Sequence, residues 1–221
     1  MAKTSINSDE ELTNPIYLTS QENFVRWYSS IYSKIPSGST KIILDVGCGP
    51  GYGLKHLVQK NRIVYGLDIT EEGLKDKNLK KYFIKADAHH LPFKTESVDV
   101  IICFELVEHL NSPTKFLEEA TRTLKTKGMF FITTPTPNSP WGANFPNHVN
   151  VWERKVWISK LKELGFNVKV ITYIYPRFLG RSDISSTLLK LLDTTVGRAI
   201  GYWKKYVKVT STKLVCVKTE K

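Results

Sequence analysis

From residue 41 the chain reads Lys-Ile-Ile-Leu-Asp-Val-Gly-Cys-Gly-Pro-Gly-Tyr-Gly, an apolar run that passes without a spacer into four glycines, Gly47, Gly49, Gly51 and Gly53. A short, continuous apolar run is what a strand buried on both faces needs. Closely spaced glycines let the backbone reverse and approach a ligand with no Cβ in the way. The spacing is not the dinucleotide fingerprint, because counting from Gly47 the third required glycine falls at Tyr52. A Walker-type phosphate loop is excluded too, since the chain has no Gly-Lys dipeptide.

The rest of the chain repeats the strand-then-helix alternation. Phe24, Trp27, Tyr28, Ile31 and Tyr32 recur at helical spacing and predict a lead-in helix over residues 20–35, ended by Pro36-Ser37-Gly38. Strands are predicted at 41–46, 62–67, 82–85, 98–104, 129–133, 166–175 and 210–218, and helices at 54–59, 71–80, 114–124 and 153–164. Ser112-Pro113 reads as a hydroxyl N-cap with proline in the first turn, and Lys127-Gly128 as the stop of that helix. Such alternation argues for an open α/β sheet wound on both faces, with its ligand site at the carboxyl ends of the strands. Residues 135–150 form a long loop rich in Pro, Asn and aromatic residues, a length often associated with function.

Acidic residues stand at three predicted strand ends. Asp45 can accept hydrogen bonds from the turn or from a ligand's ammonium group. Asp68, 21 residues past Gly47, is placed to accept both hydroxyls of a ribose. Asp87 can accept from an exocyclic adenine amine. Each alone is equally at home as a cap or turn residue; the three together imply an adenosine-bearing ligand.

Here the sequence resembles a known family. Asp45-Val46-Gly47-Cys48-Gly49-Pro50-Gly51, Leu67-Asp68, and Asp87-Ala88 with Leu91-Pro92-Phe93 are similar to the first three motifs of the class I S-adenosylmethionine-dependent methyltransferases, especially the branch with ubiquinone-type and glycan- or lipid-modifying enzymes. Phe104-Glu105-Leu106-Val107-Glu108-His109-Leu110 resembles the segment after strand four, and Thr123-Leu124-Lys125-Thr126-Lys127-Gly128 its Leu-Lys-Pro-Gly-Gly turn with two departures. His148 with Trp152 resembles the loop before the fifth helix, and the likeness covers roughly residues 42–166. It implies a Rossmann-like, doubly wound, mostly parallel seven-stranded sheet whose last strand is antiparallel. It also implies S-adenosyl-L-methionine as cofactor, held by Asp45, Gly47, Cys48, Gly49, Gly51, Asp68, Ile69, Asp87, Ala88 and Phe104. One domain is expected over residues 1–221, with 1–40 as a helical lead-in and 176–209 as an insertion where family members usually have a short hairpin.

A sulfonium methyl donor carries the electronic burden itself, so the protein must mainly align a nucleophile. For a hydroxyl acceptor a general base helps, and His148, His109, Glu105 and Glu108 are the candidates, with His148 preferred and His109 second. A His148 that only pins the loop satisfies the sequence equally. Glu105 stands where the inverted zinc-protease signature needs histidine, and His89-His90 has no partner at ligand spacing, so no metal is predicted. The Pro-Pro-aromatic signature of adenine amino methylation is missing, and no cysteine adjoins proline, which disfavours both nucleic-acid chemistries.

Charge bears on the acceptor. Residues 1–150 hold 17 Lys+Arg against 16 Asp+Glu, whereas 151–221 hold 15 against 5, so nearly all of the +11 net charge lies in the last third. That skew fits an anionic or membrane-associated acceptor, with nucleic acid as a further option, or plain solubility charge. Within 176–209, Ile184, Leu188, Leu191, Leu192, Val196, Ala199, Ile200 and Trp203 share one helical face, suited to a membrane interface, a lid, a dimer contact or the core. No apolar run is long enough to span a bilayer, and three scattered cysteines suggest neither disulfides nor a zinc knuckle. The expectation is a cytoplasmic protein with peripheral membrane attachment left open, transferring methyl to a small-molecule or lipid- or glycan-linked acceptor, at oxygen. RNA or protein methylation, and a noncatalytic S-adenosylmethionine-binding module, are the competing readings.

Overall fold

A computed structural model describes residues 28, 31–35, 41–58, 62–71, 73–139, 142–171 and 211–220. The expected helical face within 176–209 and most of the 1–40 lead-in lie outside these residues. Strands β1 (Lys41–Val46), β2 (Arg62–Asp68), β3 (Phe83–Lys85), β4 (Val98–Phe104), β5 (Leu124–Pro135), β6 (Phe166–Val170) and β7 (Ser211–Lys218) form one sheet in the order β3-β2-β1-β4-β5-β7-β6. The first five are parallel, and β7 lies antiparallel between β5 and β6. The order reverses between β1 and β4, which places a crevice outside their carboxyl ends. The seven-stranded doubly wound sheet with its antiparallel last strand is therefore present.

Burial explains the apolar character of the central strands. One sheet face packs Leu44, Val46, Ile101 and Phe130 under helices α2 (Pro113–Thr123) and α3 (Arg154–Glu163), which contribute Phe116, Leu117, Ala120, Trp157 and Leu161. The other packs Ile43, Val100, Ile102 and Phe131 against Leu54 and Leu57 of helix α1 (Tyr52–Leu57) and against Tyr28, Ile31, Tyr32 and Ile35. Tyr28, Ile31 and Tyr32 are helical, in keeping with the lead-in helix, and turn inward.

Four local expectations are corrected. Residues 71–80 do not form an α-helix: only a 3-10 turn, Lys77–Tyr82, is present, because Leu74 and Leu79 are the only large aliphatic side chains there and give no continuous stripe to bury. Lys127-Gly128 does not stop α2, which ends at Thr123; β5 begins at Leu124, and Lys127, at φ 64°, sits in a register shift between the pairs Val98–Leu124 and Val100–Met129. Gly128 is needed there because a Cβ would come within 2.7 Å of the Lys125 carbonyl oxygen and of Leu124 Cγ. The Ser112 hydroxyl makes no cap bond, though Pro113 does open the helix. The strand expected over 166–175 ends at Val170, beyond which only Ile171 is described before residue 211.

Candidate functional site

The glycine turn lies at the carboxyl end of β1, between β2 and β4. Gly47, Gly49 and Gly51 all have positive φ, at 73°, 43° and 78°, which L side chains rarely adopt. The N–H groups of Gly47 and Cys48 both donate to the Leu67 carbonyl (2.7 and 3.1 Å), tying the turn to the end of β2. The Asp68 carboxylate accepts from the N–H of Gly49 at 2.9 Å and from that of Thr70 at 3.4 Å. A Cβ on Gly49 would meet nothing within 4 Å, whereas one on Gly47 would touch Leu106 at 3.0 Å. The turn is thus packed on the Leu106 side and faces free space at Gly49.

Around that space the other expected side chains are distributed unevenly. Ile69 is two-thirds exposed, an apolar group left beside an acid. Asp87 faces its own turn: its Oδ1 accepts from the N–H of His89 at 2.8 Å and lies 2.7 Å from His89 Nδ1, which together hold the carboxyl below its usual range. Ala88 is buried in the core. Phe104 stacks on Tyr28 with ring centroids 4.2 Å apart, so it belongs to the core on the lead-in side of the sheet. Burial pushes the Cys48 thiol far up, which leaves it a packing group rather than a nucleophile.

Asp45 is 6% exposed, and burial, followed by the nearby Asp68, raises its carboxyl to about 7. A buried acid that ionises near neutrality suits a cationic group, whose arrival would expel the proton. Because the folded value lies above the unfolded one, this residue's stabilising contribution is full below about pH 4 and fades as pH rises through about 7. Asp45→Asn is therefore expected to flatten the pH dependence of melting between pH 5 and 8, removing about 2.5 kcal/mol of destabilisation over that interval. Melting curves of both proteins at those two pH values check this; parallel curves would refute it.

At the ends of β4 and β5 lies a second polar cluster. Glu105, at φ 50°, donates its N–H to the Thr133 carbonyl (3.0 Å) and accepts from the Tyr28 hydroxyl at 3.3 Å. Glu108 is 1% exposed, with Oε2 unpartnered among the described residues, and burial together with Glu105 raises its carboxyl well above the usual range. The carbonyl of Glu108 takes the N–H groups of Val149 and Asn150 (2.8 and 3.0 Å), and the Asn150 amide donates to the Leu110 carbonyl, so the long loop is pinned to this turn. His148 meets His109 edge to face at 4.6 Å; their Nδ1 atoms lie 3.3 and 3.1 Å from the carbonyls of Gly142 and Asn147. One polar atom each of Glu108, His109 and His148 lies within 4.8 Å of the others, a grouping that the metal-free expectation did not foresee. Sequence reasoning named Tyr28 only on the face of the lead-in helix and gave Lys213 no role. Lys213, on β7 opposite Thr133, is 1% exposed, with its ammonium 5.3 Å from the centre of the Tyr28 ring. A charged residue directly before the run Leu214-Val215-Cys216-Val217, within the expected strand, was the available signal.

Residues 44–132 match the model of a methyltransferase domain family. The chain is 30% identical over 122 residues to a probable S-adenosylmethionine-dependent methyltransferase of Mycolicibacterium smegmatis, covering 52% of this chain and 47% of that protein. The sheet superposes on a SAM-dependent methyltransferase from Archaeoglobus fulgidus with TM-score 0.70 and 19% identity, over 90% of this chain and 95% of the other. Residues 44–132 are a methyltransferase domain of the S-adenosylmethionine-dependent kind. Another relative of this methyltransferase is the phthiotriol/phenolphthiotriol dimycocerosates methyltransferase 1 of Mycobacterium ulcerans, 32% identical over 177 residues, 74% of this chain and 62% of that one. The chain thus spans about half the length of the Mycolicibacterium relative and less than two thirds of the Mycobacterium one. The crevice has the features such a cofactor requires: free space above Gly49, a buried acid at Asp45 that ionises near neutrality, and a carboxylate at Asp68 on the open side of the turn.

Proposed function

We propose that this single-domain methyltransferase holds S-adenosylmethionine in the crevice of Asp45, Gly47, Cys48, Gly49, Gly51, Asp68, Ile69 and Asp87, with Ala88 and Phe104 backing it from the core, and methylates the oxygen of a small-molecule or lipid- or glycan-linked acceptor. The observation that carries the cofactor half is the open space at Gly49, whose N–H is held by the Asp68 carboxylate. Bound there, the cofactor supplies an electrophilic methyl on a sulfonium. The residues would hold it: Asp68 would accept from the ribose hydroxyls, Asp45 would meet the ammonium, and Ile69 would offer an apolar contact to the adenine. The acceptor enters over the ends of β4 and β5, where His148 and His109 close the side formed by the long loop.

Support for a lipid-type acceptor comes from the Mycobacterium relative, named for phthiotriol and phenolphthiotriol dimycocerosates, and from the basic last third of the chain. No helix among the described residues is long and apolar enough to cross a membrane, so lipid access in this reading is peripheral. The same positive charge favours RNA or an acidic protein as second reading. Incubating the protein with methyl-labelled cofactor and separate lipid, small-molecule and RNA fractions is expected to label the lipid or small-molecule fraction. Labelling confined to RNA, with affinity falling steeply in salt, would select the second reading. Cofactor binding with no labelling of any fraction would favour a noncatalytic module.

A further inference from the structure

We propose that Glu105 is the catalytic base that takes the proton from a hydroxyl acceptor, and that the buried Lys213, with Tyr28, is the positioning pair that holds its carboxylate ionised beside the glycine cradle. This rests on the oxygen-acceptor reading above.

The backbone brings Glu105 to the cradle. It is the first residue past β4, and the next side chain, Leu106, lies 3.0 Å from where a Cβ of Gly47 would stand. Its φ of 50° is one that a non-glycine residue rarely adopts, and such strain concentrates at working sites. The bond from the Glu105 N–H to the Thr133 carbonyl fixes this turn against β5, and Thr133 is paired in register with Lys213 on β7.

A lysine 1% exposed in the middle of a sheet needs a counter-charge. Burial lowers its ammonium to about 8, and the carboxylate that opposes this is Glu105. Glu105 also receives the Tyr28 hydroxyl. Two carboxyls in one dry site cannot both ionise. Burial raises the Glu105 carboxyl, and Thr133, Lys213 and Tyr28 oppose that rise, whereas Glu108 is pushed well above its usual range by burial and by Glu105 itself, so of the two it is Glu108 that keeps its proton. The other groups acting here are the Asp45 carboxyl on β1, the Cys103 thiol on β4, Tyr32 from the lead-in segment, and His109 and His148 beyond Glu108. In the transfer the acceptor O–H bond breaks with its proton going to a Glu105 oxygen, the O–CH3 bond forms, and the C–S bond breaks with its electron pair going to sulfur. Glu105 then releases the proton to solvent.

The test has two arms. Carboxyl-labelled glutamate is followed by NMR against pH, with Glu105→Gln and Glu108→Gln assigning the signals. Glu105 is expected to be ionised at pH 7 and Glu108 protonated. Lys213→Met should raise the Glu105 titration by more than one unit, Tyr28→Phe by less, and Lys213→Arg should restore it. A Glu105 that is neutral at pH 7, or indifferent to Lys213→Met, overturns the positioning role. In the second arm, tritiated cofactor is offered with catechol, diacylglycerol and methyl glucoside as hydroxyl probes. Glu105→Gln should lower transfer at least 100-fold while sinefungin affinity stays within threefold, and Lys213→Met should move the acid limb of the rate profile upward. Transfer by Glu105→Gln at the original rate overturns the base. Labelling of none of the probes by the unmodified protein overturns the oxygen-acceptor reading and the base with it, and the NMR arm still decides the Lys213 pairing.

Discussion

Asp68→Ala is expected to weaken S-adenosylmethionine binding about 100-fold, a loss of about 2.7 kcal/mol. The carboxylate stands at the tip of β2 over the open side of Gly49, and its bonds to the N–H groups of Gly49 and Thr70 are partly buried at most. Hydrogen bonds to a charged group are worth about 1.5–3 kcal/mol each, and two ribose hydroxyls would be lost with it. The ligand-free protein loses the part-buried bond to the Gly49 N–H, about 1.5 kcal/mol, and the long, exposed one to Thr70, which water replaces, and no core side chain is disturbed. Calorimetric titration and a melt without ligand separate the two quantities. Affinity unchanged within twofold, or a melt that falls as far as the affinity, would show that Asp68 only braces the turn.

The opposite balance is expected two residues back along the same strand. Gly66 lies in β2 between Asp45 of β1 and Phe83 of β3. A Cβ there would stand 2.8 Å from Leu54 Cδ2 and 2.9 Å from Cys48 Sγ, both in the packed interior. Gly66→Val adds two further methyls to a site with no room for the first. Overpacking typically costs about 1–3 kcal/mol, and at about 2–4 °C per kcal/mol for a chain of this size the midpoint should drop by roughly 5–10 °C in the absence of any ligand. The intruding atoms press on the glycine turn through Cys48, so affinity should fall too, but as a consequence of the fold. An unshifted melting temperature would mean that Leu54 and Cys48 yield freely.

These two glycines mark what the chain discloses on inspection. The turn at Gly47 to Gly51 was legible because its spacing follows an apolar run, and β4 was read at both its ends because Val98 to Phe104 is bounded by polar residues. That Gly49 faces space and Gly66 faces Leu54 depends on contacts from other elements, which no local pattern encodes. The start of β5 was misread for a related reason: Lys127-Gly128 is good helix-stop chemistry, and the register shift it serves exists only against β4. Asp45 and Asp68 stand at their strand ends as expected, whereas Lys213 was read only as part of the strand over 210–218. Its burial follows from Tyr28 and Glu105, which lie far from it in the sequence.

The position of β7 has a consequence for synthesis. With β7 wedged between β5 and β6, a nascent chain that has delivered everything through Val170 still presents one side of β5, including Phe130, Phe131 and Ile132, as an unsatisfied ladder. Closure waits for residues 211–218 to arrive, and they bring a lysine, poorly suited to strand-by-strand stacking with a second chain, into the middle of that gap. The ribosome-bound intermediate would then be the state in which chaperones matter most for this protein.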